Sequence, residues 1–87
     1  MVLYKSMKKA TIYTTSSCVY CKMAKEFFAK NGVAYDEYDV GENAEKRKEM
    51  FDISGQMGVP VILIEGESEH ILGFNKPKLM QALGIDA

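Results

Sequence analysis

Two spacings of apolar residues alternate along the 87-residue chain, and this alternation restricts the fold more than any other sequence feature. Ala10–Thr15 is short, β-branched and aromatic, which predicts a buried strand. Val19–Asn31 has apolar residues at helical spacing, and Asn31-Gly32 predicts its left-handed end. The apolar face of this helix would consist of Tyr20, Ala24, Phe27 and Phe28. Because a chain this short holds one hydrophobic core, both kinds of element must pack together.

The same alternation continues to the end of the chain. Val33–Val40 predicts a second strand, and Glu42–Ser54 predicts a second helix that ends at Gly55. Residues expected on the inner face of that helix are Ala44, Met50 and Phe51. Pro60–Glu65 and Glu69–Gly73 predict a hairpin with a turn at Gly66 and Ser68. Asn75 would cap a last helix, with Pro77 in its first turn, Leu79, Met80 and Leu83 inward, and Gly84 at its end.

The predicted order is therefore β-α-β-α-β-β-α, which indicates an α/β domain with a four-stranded mixed sheet and helices on both faces. A right-handed crossover places the first strand inside the sheet, and ligands of such sheets bind at the carboxyl ends of strands. Cys18 follows the first strand at that place. Met7 and two lysines read as a second natural start, so residues 1–7 are interpreted as an extension and 8–87 as the domain.

Cys18 and Cys21, the two cysteines of the chain, stand at i and i+3 where strand gives way to helix. Their Cβ atoms would lie about 5–6 Å apart on one helix face, close enough for a disulfide. Ser16-Ser17 offers an N-cap before them. The helix start favours a Cys18 thiolate, with a pKa lowered from ~8.5 to about 3.5–7.5, and Lys22 adds positive potential.

This asymmetry predicts a redox cycle. Cys18 attacks a target disulfide to form a mixed disulfide, and Cys21 then attacks Cys18 and releases the reduced target. Neither a metal nor a bound organic cofactor is required. Zinc is disfavoured because a structural site needs four ligands and only His70 remains, which is interpreted as a solvated hairpin residue.

Composition excludes other classes of function. A net charge of −1 argues against a dedicated nucleic-acid binder. The longest apolar run, Val59–Ile64, is far shorter than the roughly 20 residues of a membrane helix. The N-terminal stretch has no apolar run of a secretory signal. The protein is therefore expected in the cytoplasm and off the membrane. The charged run 45–49 is interpreted as a solvated helix face, and Met23, Met50, Met57 and Met80 as core filling.

Several motifs together resemble those of the glutaredoxins and glutaredoxin-like redoxins of the thioredoxin fold. They are Thr11-Ile12-Tyr13, Ser17-Cys18-Val19-Tyr20-Cys21, Gly58-Val59-Pro60-Val61 and Gly73-Phe74, and the resemblance spans about Lys8 to Ile85. It implies a thiol-disulfide oxidoreductase whose Val59–Pro60 peptide bond is cis and faces the dithiol. It further implies that Gly58, Val59 and Pro60 shape a substrate groove and that Gly73 and Phe74 line its edge. Tyr20 is expected to face solvent beside Cys18, with a core position as the alternative, and Phe74 either packs beneath the last helix or flanks the site.

The resemblance leaves the subgroup and the reductant open. Gln56 falls where the family often has a glutathione-contacting polar side chain, yet it is equally well an ordinary loop residue. Thr15 stands where glutathione-using members carry a basic residue, and Gly73-Phe74-Asn75-Lys76-Pro77 lacks their second glycine and acidic pair. This segment resembles redoxins recharged by thioredoxin reductase, although the chain lacks their tryptophan.

The expected function is reduction of protein disulfides by a monomer, with glutathione or a thioredoxin-reductase type system as the reductant. The alternatives are a glutathione-dependent deglutathionylase, which needs only Cys18, and an iron–sulfur cluster carrier that works as a glutathione-bridged dimer.

Overall fold

A computed structural model describes residues 8–85. Its elements are β1 Ala10–Thr14, α1 Val19–Lys30, β2 Tyr35–Asp39, α2 Ala44–Ser54, β3 Val61–Ile64, β4 Ile71–Leu72 and α3 Lys76–Leu83. The predicted order is confirmed, but β2 is shorter than the predicted Val33–Val40 and β4 is shorter than the predicted Glu69–Gly73. The predicted extension 1–7 lies outside the described residues. Within the described range, no helix is both long and apolar enough to cross a membrane.

The sheet has the strand order β2-β1-β3-β4, with β1 parallel to β2 and antiparallel to β3. β4 pairs antiparallel with β3 as the predicted hairpin. In this register Tyr13 lies opposite Val61, so the carboxyl end of β1 lies beside Pro60, just before β3. The fold therefore brings the β1–α1 junction and the segment before β3 to one end of the sheet.

Helices cover both faces of the sheet, as predicted. Successive strand residues point to opposite faces. Toward α1 and α3 the core consists of Ala10, Ile12, Ala24, Phe27, Phe28, Val33, Ile62, Ile64, Ile71, Leu79 and Leu83. Toward α2 the buried cluster is smaller and consists of Tyr13, Val40, Met50 and Val61. Most of the apolar burial therefore lies on the α1 face.

The α2 face adds polar contacts to its small core. The Tyr13 hydroxyl donates to Glu49 Oε2 at 3.0 Å, and Lys46 Nζ lies 2.9 Å from Glu49 Oε1. The same Lys46 ammonium lies 4.1 Å from the centre of the Tyr38 ring. Burial and the neighbouring Glu49 raise the pKa of Tyr13 from 10.0 to about 12.

The inner face of α2 differs from the predicted one. Met50 is buried as expected, but Ala44 and Phe51 are exposed, so those two expectations are wrong. Arg47 Nη1 donates to Val40 O at 2.7 Å, and Ser54 Oγ donates to Met50 O. Arg47 and Met50 thus share the inward side, and a residue directly after Met50 is rotated away from it.

Two of the four methionines expected in the core are outside it. Met50 is fully buried and Met80 packs partly against the main core. Met23 and Met57 are exposed, which makes the core interpretation wrong for them. Met23 is on the outer side of α1, and Met57 is in the loop before β3.

Candidate active site

The predicted dithiol lies at the carboxyl end of β1, where α1 begins. Cys18 and Cys21 form a disulfide with their Cα atoms 5.2 Å apart, so the expectation that their spacing suits a disulfide is confirmed. Cys18 is half-buried, whereas Cys21 has 1% of its surface exposed. Cys18 is therefore the residue directly before α1, and Cys21 lies on the buried face of the first turn of that helix.

Cys18 itself is the N-cap of α1. Its backbone is extended, and its Sγ accepts a hydrogen bond from Cys21 N at 3.0 Å. The prediction that Ser16-Ser17 caps the helix is wrong, because Cys18 N already closes a turn onto Thr15 O and the helical residues begin at Val19. Cysteine therefore occupies the position where an oxygen-bearing side chain is usual.

The surroundings of the Cys18 sulfur favour an anion once the disulfide is reduced. The first turn of α1 holds no acidic residue, and its free N–H groups lie next to Sγ. Lys22 follows within one turn and is exposed. The lowered pKa of Cys18 stays a prediction, since neither sulfur titrates in the disulfide.

The segment before β3 has the predicted backbone. The Val59–Pro60 peptide bond is cis, which confirms that expectation. Pro60 is buried, and its carbonyl accepts a hydrogen bond from Gly73 N at 2.9 Å. Gly73 has a φ of 72°, a conformation that favours glycine. Pro60 and Gly73 are thus joined directly at the end of the sheet where α1 begins.

Gln56 closes its own loop. Its Nε2 donates to Gly58 O at 3.1 Å, and its Oε1 accepts from Gly58 N at 2.6 Å. A Cβ at Gly58 would lie 2.6 Å from Gln56 Oε1, so only glycine leaves room for this contact. In the structure Gln56 therefore acts as a residue that stabilises its own loop, and its contact with glutathione stays a prediction.

Tyr20, Gly73 and Phe74 line one open groove of about 550 Å³. The rest of its lining is Leu72, Asn75, Lys76 and Pro77, among which only Lys76 is charged. Tyr20 is 61% exposed, which confirms that it faces solvent. Its predicted place on the apolar face of α1 is therefore wrong, and Cys21 is buried on that face instead. Phe74 packs edge-on against Phe27 at 5.9 Å, so the groove wall is anchored in the core.

A polar cluster near the cysteines was missed by sequence reasoning. Glu37 Oε2 accepts hydrogen bonds from Lys25 Nζ and from Thr14 Oγ1, each at 2.8 Å. The Lys25 hydrogen bond, helped by Thr14, lowers the pKa of Glu37 although burial opposes this. Sequence spacing places Lys25 one turn after Cys21 but gives no sign of its partner on another strand.

In the part of the chain that the structure describes, the fold brings no metal-binding cluster together. Across residues 8–85, no group of three or more His, Cys, Asp or Glu side chains is placed to hold a metal ion. His70 is partly buried in the β3–β4 connection and lines a different cavity, together with Lys78.

Known proteins resemble this chain over nearly its whole length. A family model for glutaredoxin matches residues 10–71. Glutaredoxin from Neisseria meningitidis is 42% identical over 82 residues, 92% of this chain and 94% of that one. Glutaredoxin 3 from Escherichia coli is 37% identical over 78 residues, with 90% and 92% covered. A crystallised thioredoxin-like protein has a TM-score of 0.78 at 36% identity, over 86% of this chain and 100% of that one.

Proposed function

The chain belongs to the glutaredoxin family of thiol-disulfide oxidoreductases with a thioredoxin-like fold, and we propose that its own substrates are protein disulfides. The unequal exposure of the two sulfurs carries this proposal. Cys18 is reachable at the helix start, whereas Cys21 is buried one turn deeper. The first sulfur is the nucleophile, and the second resolves the intermediate.

The cycle needs only these two side chains. The Cys18 thiolate attacks one sulfur of the target disulfide, forms a mixed disulfide and expels the other target sulfur as a thiolate, which takes up a proton. Cys21 then loses its proton and attacks Cys18 Sγ. The bond between Cys18 and the target breaks, the Cys18–Cys21 disulfide forms, and the target leaves with both cysteines reduced.

The surfaces beside Cys18 suit a polypeptide. Val59 and Pro60 lie directly before β3, and Val59 offers its backbone for pairing with an extended segment, as in strand addition. Tyr20, Gly73 and Phe74 form a groove wide enough for the side chains that flank a substrate cysteine. Gly58 shapes the approach through its contact with Gln56.

The reductant is proposed to be a thioredoxin-reductase type system, with glutathione as the alternative. Thr15 supplies no positive charge for a glutathione carboxylate, and Lys76 lies in the groove where carboxylates would hold the γ-glutamyl ammonium. We place the protein in the cytoplasm, as a monomer without a bound cofactor, because its cycle requires reducing conditions and no second chain.

Trapping the intermediate tests the assignment. In Cys21→Ser, a mixed disulfide with a reporter such as insulin accumulates, and peptide mass spectrometry finds the reporter on Cys18. The unaltered protein under the same conditions accumulates the Cys18–Cys21 disulfide instead. An adduct at Cys21 in the unaltered protein, or no adduct in Cys21→Ser, contradicts the roles.

Coupled assays distinguish the alternatives. Turnover of protein disulfides with thioredoxin reductase supports the proposal. Turnover of a glutathionylated substrate with glutathione and glutathione reductase, retained in Cys21→Ser, identifies a deglutathionylase. Visible absorbance after anaerobic purification identifies a cluster carrier.

A further inference from the structure

We propose that Lys25 and Glu37 are positioning residues for the resolving thiol, and that their ion pair sets how readily Cys21 ionises and attacks Cys18. This inference rests on the proposed function, because it concerns the second step of that cycle. It assigns a role to a polar cluster, buried at Thr14 and about one-third exposed at Lys25 and Glu37, that neither the fold nor the first step explains.

Strand alternation puts the cluster on the same side of the sheet as Cys21. Ile12 packs in the core under α1, and Thr14 follows two residues later on the same face of β1. Tyr35 packs against Phe28 of α1 with ring centres 5.4 Å apart, and Glu37 is two residues beyond it on β2. Thr14 and Glu37 therefore both face α1 near the carboxyl end of β1.

The helix brings Lys25 to the same place. Residues at i and i+4 are neighbours on a helix surface, with Cβ atoms about 5–6 Å apart, so Lys25 lies directly behind Cys21. Its ammonium reaches Glu37 Oε2, which also accepts from the Thr14 hydroxyl. Thr14, like Cys21, has 1% of its surface exposed, so this end of the cluster is shielded from water.

Charge near Cys21 matters because the thiol is buried. Burial opposes the thiolate form, and poor screening strengthens the effect of each nearby charge. The other charged groups are more exposed or otherwise engaged. They are Lys22 and Glu26 on the exposed side of α1, Asp36 paired with Lys9, Asp39 accepting from Gly41 N, and the exposed Lys76 and Lys78 of α3. Gly58–Val61 contributes no titratable side chain, and Tyr13 of β1 packs on the α2 face.

In the intact ion pair the charges of Lys25 and Glu37 largely cancel. Taken singly, the Lys25 ammonium favours a thiolate at Cys21 and the Glu37 carboxylate disfavours it. Removal of Lys25 leaves the Glu37 carboxylate without its cation, which disfavours a second anion at Cys21. Removal of Glu37 leaves the Lys25 ammonium uncompensated, which favours that anion. A purely structural ion pair would instead lose stability in both variants and slow the reaction in both.

A disulfide reagent with a coloured leaving group separates the two steps. When the reduced protein reacts with dithiobis(nitrobenzoate), attack by Cys18 releases the first thionitrobenzoate, and attack by Cys21 on the resulting mixed disulfide releases the second. Stopped-flow absorbance across a pH series gives the rate of each phase, and the midpoint of the second phase reports ionisation of Cys21.

Opposite shifts of the second phase are expected. Lys25→Met moves its midpoint upward and slows it about threefold or more at neutral pH, and Glu37→Gln moves the midpoint downward and speeds it, since one pKa unit corresponds to tenfold. The double variant returns toward the unaltered protein, and the first phase changes by less than about twofold in all of them. Lys48→Met and Asp52→Asn, which break the exposed pair on α2, are the matched controls and change neither phase.

Several results would overturn the inference. Shifts of the second phase in the same direction in both variants, or unchanged midpoints, would show that the pair does not act through charge on Cys21. If Glu37→Gln does not fold, the direction of the Lys25→Met midpoint still decides. Release of only one thionitrobenzoate per reduced protein would refute resolution by Cys21 and hence the proposed function as well, whereas release of two with unresponsive variants would refute only this inference.

Discussion

Helices α1 and α2 are built alike but differ in use. They have 12 and 11 residues, and in each the side chain of the N-cap accepts a hydrogen bond at 3.0 Å from the residue three positions later. In α2 that cap is the oxygen of Asn43, and in α1 it is the sulfur of Cys18. α1 buries four side chains, three of them in the main core, whereas α2 buries only Met50.

The difference shows that a helix N-terminus becomes a redox site through two additions. One is a sulfur at the cap, where the N–H groups of the first turn favour its anion. The other is firm packing directly behind it, which fixes a second sulfur at a buried position one turn on. α2 has the cap geometry and neither addition, so it serves as an internal control for α1.

The largest effect is expected when the cap of α1 keeps its geometry but loses its sulfur. Cys18→Ser retains an oxygen acceptor for Cys21 N, yet disulfide reduction falls to the uncatalysed rate because no thiolate forms. The unfolding free energy of the reduced protein changes by less than about 1 kcal/mol, since serine is a good N-cap. Insulin reduction and urea unfolding measure the two quantities.

Asn43→Ser is the matched control for that change. It replaces one oxygen cap by another in α2 and keeps both activity and stability. Continued catalytic turnover in Cys18→Ser would show that the reaction does not need the sulfur at the cap of α1. The two helices would then no longer differ in this respect.

The next effect concerns packing rather than chemistry. Phe28 of α1 is fully buried, and Phe28→Ala is expected to lower the unfolding free energy by about 3–5 kcal/mol. Phe51 of α2 is 47% exposed, and Phe51→Ala is expected to lower it by less than about 1 kcal/mol. Equal losses in urea unfolding would show that α2 is held as firmly as α1.

The smallest effect is expected on the polar side of α2. Tyr13→Phe removes the hydrogen bond to Glu49 and costs about 1 kcal/mol at neutral pH. Because the pKa of Tyr13 rises from 10.0 to about 12 in the folded protein, its contribution is complete below 10.0 and is lost as pH rises toward 12. Denaturation across that range gives a steeper alkaline loss for the unaltered protein than for Tyr13→Phe, and parallel curves would contradict this.

Local patterns in the sequence were sufficient for the order of elements and for the position of the cysteine pair. Strand and helix spacings are local, and so are the glycine ends of the helices, such as Gly55 and Gly84, which have the expected positive φ. Cys18 and Cys21 were recognisable because their spacing and their strand-to-helix position both come from neighbouring residues. The cis bond before Pro60 came from family resemblance, since the local sequence alone does not determine it.

Details that depend on distant partners could not be read in the same way. Phe51 is as apolar as Met50, and only the position of α2 over Val40 decides which of them is buried. Cys21 took the inward place that periodicity had assigned to Tyr20, because α1 starts at Val19 with Cys18 as its cap. Glu37 meets Lys25 and Thr14 across two strands and a helix, and no pattern within one segment indicates such a meeting.

The burial of Cys21 also determines the kinetic form of the cycle. In the proposed cycle, because Cys21 is buried, oxidised targets and the reductant that regenerates the dithiol both react at Cys18 and so compete for one sulfur atom. They cannot occupy it together, which requires an alternating, ping-pong order of encounters in which either partner in excess inhibits the other. The flow of electrons then depends on which of the two is more abundant, without any separate control element.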